Sequence, residues 1–128
     1  MKIDAPISVG ELIDKISILE IKLEKLSDSK QVANVRAEHA LLTGTYANNA
    51  IGGKIDKSDE ATLHAVNREL WDVEDLLREH EKRGDFGPRF VELARSVYRL
   101  NDRRAAAKKS INLRSGSLVV EEKSYKGS

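Results

Sequence analysis

Residues 63–80, LHAVNRELWDVEDLLREH, place apolar side chains at Leu63, Val66, Leu70, Val73 and Leu77 and end the series on His80. Steps that alternate three and four put those positions on one stripe of an α-helix. Gly84-Asp85-Phe86-Gly87 then supplies a stop and a turn, and Pro88 sits where a first helical turn tolerates it. The same stepping resumes at Phe90, Leu93, Val97, Leu100, Arg104, Ala107 and Ile111. Two seams joined by so short a connection predict an antiparallel helical hairpin, with helices over about 59–83 and 88–113.

Working outward toward the N-terminus, Ser8 and Glu11 stand in the S-x-x-E relation of a capping box, and Ile7 can staple onto Leu12. The seam Val9, Leu12, Ile16, Leu19, Leu23, Leu26 follows, predicting a helix over about 9–27. Ile13, Ile18 and Ile21 fall beside or behind that seam. This helix is therefore expected to be central in the fold or shared with a second subunit. A weaker seam, Val32, Val35, His39, Leu42, Tyr46, predicts another helix over about 30–47, and Asn48–Gly53 reads as a loop. The expectation is an all-α, antiparallel up-down four-helix bundle forming a single domain over 1–128, with coiled-coil-like seams and a short extended tail over 118–128. That tail has no helical period, and the residues leave open whether it docks on the body, reaches another subunit or is partly disordered.

Composition narrows the function classes. The 128 residues include no cysteine, which removes disulfides and thiolate chemistry from consideration. No stretch approaches a membrane span or a signal sequence, so the expected location is cytoplasmic. Residues 1–88 hold 12 Lys/Arg against 17 Asp/Glu, and residues 89–128 hold 10 against 4, so a basic element follows an acidic body.

The acidic cluster Glu69, Asp72, Glu74, Asp75, Glu79 contains the E-x-x-D spacing of magnesium-binding helical pyrophosphohydrolases. Asp72, Asp75 and Glu79 nevertheless point away from the seam, and a metal site needs convergent carboxylates, so no metal or other cofactor is expected. Arg95, Arg99 and Arg103 recur every fourth residue and could grip phosphates. No helix-turn-helix signature or set of stacking aromatics accompanies them, so nucleic acid is not the expected partner.

At ~1.5 Å rise per residue in alternating directions, Glu20, His39 and Asn101 reach similar heights, with Arg104 and Lys108 nearby. Buried polar groups need partners. These five form either a layer that fixes helix register or a pocket for an anionic, phosphate- or nucleotide-like ligand. His64 lies off its seam and reads as a surface histidine. Trp71 is about 130° from its seam; with Ile18, Ile21 and Tyr125 it forms the candidate interface of a homodimer or of a contact with a protein partner. Assembly or partner binding, without catalysis, is the leading expectation, with a small-ligand-binding protein or enzyme as the alternative.

Three segments carry a family resemblance: Ile7–Ile16, Glu92–Tyr98 with Asn101-Asp102, and Val120–Tyr125. They resemble a small bacterial all-helical family of unknown function, sometimes found near or fused to glycosyltransferase and repeat-containing proteins. The resemblance implies that the first helix, the last helix and the tail belong to one unit. It assigns no catalytic residues. A fainter likeness to helical chorismate mutases fails because the first helix contains no arginine to hold a dicarboxylate.

Overall fold

A computed structural model describes residues 1–124. It contains α1 (Val9–Lys25), α2 (Ser29–Asn48), a short 3-10 turn (Gly52–Lys54), α3 (Lys57–Arg83) and α4 (Pro88–Ser115), with no strand among the described residues. The four helices pack as a bundle, and each boundary has a local cause. Ser8 Oγ accepts from the Glu11 amide, starting α1. Asp28 Oδ1 accepts from the Gln31 amide. Asp56 accepts from the amides of Ser58 and Asp59, which moves the start of α3 ahead of the expected 59 to Lys57. Gly84 and Gly116 end α3 and α4 in the left-handed region, at φ 65° and 72°.

The α3–α4 hairpin forms as its seams predict. Val66 and Leu70 pack with Leu100, flanked by Val73 and Val97. Leu63 meets Ala107 and Ile111 further along, so contacts that rise on one helix fall on the other. Ile13 of α1 and Ile55 complete this second cluster. α1 is central, packing against all three other helices.

The face of α1 that carries Gly10, Ile13, Asp14, Ser17 and Ile21 is buried, and so are Leu12 and Leu19 of the apolar seam. The remaining seam residues, Val9, Ile16, Leu23 and Leu26, are half-buried. The apolar seam alone therefore does not mark the inward direction of α1. α2 packs chiefly against α1 and buries only Val35. No helix among the described residues is long and apolar enough to cross a membrane.

Candidate functional site

The five polar residues expected to meet in one layer belong to different places. Arg104 and Lys108, one turn apart on α4, converge on α1. Arg104 Nε donates to Asp14 Oδ1 at 3.0 Å and its Nη2 to Oδ2, a two-pronged contact. Lys108 Nζ donates to Glu11 Oε2 at 2.6 Å and lies 3.6 Å from Asp14 Oδ2. Asn67 of α3 completes the cage by donating to Asp14 Oδ1 at 2.9 Å.

The Asp14 side chain is 1% exposed. Burial alone would push its carboxyl up, but the hydrogen bonds of Arg104 and Asn67 and the charges of Arg104 and Lys108 outweigh that and hold it below the ordinary range. The same pair raises Arg104, whose hydrogen bond to Asp14 outweighs desolvation. Both cations are thus engaged by α1 carboxylates. Asn101 is half-buried on α4 and makes no side-chain hydrogen bond among the described residues.

Glu20 and His39 do share a site. They line a cavity of about 700 Å³ bounded by α1, α2, the 3-10 turn and the start of α3. Ile13, Ile16 and Ile55 contribute apolar side chains, and Thr43 and Tyr46 come from α2. Lys57, Glu60 and His64 come from α3. His39 Nε2 is buried without a hydrogen-bond partner. An orphaned buried polar atom typically costs about 1–3 kcal/mol.

His64 is not a surface histidine. Its Nδ1 lies 2.8 Å from Ser17 Oγ, which in turn accepts from Asn67 Nδ2 at 3.3 Å. Ser17 Oγ stands between the Asn67 amide and the His64 ring. A continuous chain, Arg104–Asp14–Asn67–Ser17–His64, thus links the core ion pair to the cavity wall.

Asp14, Ser17, Asn67 and His64 lie off the apolar seams of α1 and α3, so hydrophobic spacing does not point to them. One signal was present: an arginine on a seam position, Arg104, requires a buried acid opposite it. Of the interface candidates, Ile21 is 1% exposed and lies inside the fold, where it cannot contact a partner. Ile18 and Trp71 are half-buried, and Tyr125 lies outside the described residues. Asp72, Asp75 and Glu79 are exposed, and Asp72 pairs with Lys25 at 3.4 Å.

The tail docks through its acidic residues. Glu121 accepts from Ser8 Oγ at 2.5 Å and from Asn112 Nδ2 at 3.1 Å. Asn112 Oδ1 accepts from the Gly10 amide at 2.6 Å, and Ser117 Oγ from the Val9 amide. Burial raises the Glu121 carboxyl, but bonds from Ser8, its own amide and Asn112, with the Lys108 charge, lower it overall.

Fold and site together define a helical bundle protein with a polar cavity where its N-terminal hairpin meets the third helix. The chain belongs to a family of unknown function, DUF6165, whose pattern matches residues 1–128. No curated protein and no solved structure matches it.

Proposed function

We propose that this protein binds a small polar molecule bearing an amine or other positive group in the cavity between α1, α2 and α3. The observation that carries the reading is His39 Nε2, a buried nitrogen without a partner on the wall of a cavity of about 700 Å³. The charge of the lining selects the ligand. Glu20 and Glu60 stand against Lys57, the single Lys or Arg of the lining. Arg104 and Lys108, expected to hold an anionic ligand, serve Asp14 and Glu11 and do not line this cavity. The isoleucines accept an apolar portion, and Tyr46 lines the same cavity.

Resemblance to a family found beside glycosyltransferases adds amino sugars and nucleotide sugars to the molecules worth testing. Thermal-shift measurement against amines, amino sugars, nucleotides and sugar phosphates provides the test. A ligand for the folded state raises the melting temperature with concentration. Amine-bearing compounds are expected to do so, and His39→Ala and Glu20→Gln to abolish the rise. Stabilisation by anions alone, or a rise that survives both substitutions, rejects the reading.

A second reading, self-association, draws on the remaining exposed surface of Ile18 and Trp71. Light scattering at micromolar concentration tests it. A dimeric mass that Trp71→Glu reduces to that of one chain supports it, and a monomeric mass for the unaltered protein rejects it.

A further inference from the structure

We propose that the N-terminal half of the outer face of α4 docks an extended acidic, apolar-bearing peptide segment of a partner protein. Val91, Arg95, Tyr98, Asp102, Ala105 and Lys109 are spaced four and three residues apart and so form one stripe along α4. The chain's own tail covers the C-terminal half of that stripe. Lys123 Nζ reaches Asp102 at 3.0 Å, Glu122 accepts from Lys109 at 3.0 Å, and Ala105 lies in the cleft between tail and helix.

The tail runs Leu118-Val119-Val120-Glu121-Glu122-Lys123, an apolar run followed by carboxylates. Its contacts with the stripe are ionic, Glu122 with Lys109 and Lys123 with Asp102, while Leu118 and Val119 stay exposed. The N-terminal half is more apolar and has no cover among the described residues. Val91 is 49% exposed, Tyr98 54% and Phe86 54%.

Arg95 has no ion-pair or hydrogen-bond partner among the described residues, and Arg99 only rests 5.6 Å from the Tyr98 ring centroid. Glu92, the nearby acid, is paired with Arg89 at 3.5 Å. Phe86, Val91, Arg95 and Arg99 line a concavity of about 460 Å³ at this end of the helix. Two uncommitted guanidinium groups beside exposed apolar side chains complement carboxylates interleaved with apolar residues, since the planar fork matches a carboxylate in two prongs. Scarcity of stacking aromatics favours such a peptide over single-stranded nucleic acid.

Fluorescence anisotropy tests this with a labelled peptide Leu-Val-Phe-Glu-Glu-Leu-Phe-Glu, its Lys-for-Glu counterpart and a thymidine oligonucleotide. The acidic peptide is expected to bind with a Kd below about 1 mM. Raising salt weakens that binding by screening. The double substitution Arg95→Glu/Arg99→Glu weakens it by at least about tenfold. Val91→Asp reduces binding as well. All three positions are exposed, so an unchanged thermal melt confirms that the variants are folded. Absence of binding at millimolar peptide, equal binding by the charge-reversed variant, or tighter binding of the lysine peptide or the oligonucleotide overturns the proposal.

Discussion

Asp14 is a buried carboxylate of α1 facing α3 and α4, and its neighbours determine whether it can be charged there. Arg104 grips both oxygens, Asn67 donates to one and Lys108 stands 3.6 Å from the other. Replacing Arg104 with Leu leaves the Asp14 charge buried with its main counterion gone. Breaking a buried pair costs about 3–5 kcal/mol. Arg104 itself is 29% exposed, so a loss near the lower end, about 3 kcal/mol, is expected in urea denaturation.

Acid should act on the same group. Asp14 and Glu121 both have folded-state values below their ordinary ones. Their contributions are therefore complete above the unfolded carboxylate range and disappear as pH falls through the lowered folded values. Stability of the unaltered protein should decline as pH drops below about 4, and the decline should be shallower in Asp14→Asn. Thermal melts across that interval measure both slopes. An unchanged slope in the variant removes Asp14 as the titrating group.

At the scale of the elements, α1 and α4 meet at Gly10. A Cβ there would lie 2.5 Å from the Lys108 carbonyl oxygen and 2.8 Å from Asn112 Oδ1. Backbone on the far side cannot swing away as a flexible side chain can. Gly10→Ala should therefore separate the helices and strain the Glu121 clasp, at a cost of about 1–3 kcal/mol despite its better helix propensity. Equilibrium unfolding checks it, and a gain in stability contradicts the close crossing.

α2 is the opposite case. It buries one apolar residue, Val35, and packs chiefly on α1. Its amides should exchange with deuterium faster than those of α3 and α4 around Leu63, Val66 and Leu100, which lie in the core. Since α2 carries His39, Thr43 and Tyr46, one wall of the cavity is the α-helix that buries the fewest residues.

The whole molecule explains which parts could be read from the chain alone. Strict seams over 63–77 and 90–111 specified the hairpin, because a stripe that must leave water admits one facing direction. α1 is apolar on several sides, so its periodicity could not say which side met α3 and α4. The buried side proved to carry Gly10, Asp14 and Ser17, residue types that a seam search passes over. Glu20 and His39 line one cavity, whereas Arg104 and Lys108 meet Asp14 and Glu11 on a different side of α1. The ambiguity also left His64 on the surface, when its true position depends on Ser17 and Asn67 from two different helices.

The tail was ambiguous for a related reason. Its partners, Ser8, Asn112, Lys109 and Asp102, are polar residues that leave no apolar period in the sequence.

The chain contains three histidines, and their placement offers a direct reading of ligand binding. His39 and His64 line the cavity, whereas His80 lies near the far end of α3 beside Asp85 and Phe90. Side-chain nitrogen spectra of the three imidazoles, recorded while small amines and amino sugars are titrated in, report on the cavity alone. The account predicts saturable shifts of His39 and His64 together, with His80 unmoved and the effect lost in Glu20→Gln. No compound shifting His39 and His64, or shifts that include His80 equally, would contradict a binding site between α1, α2 and α3.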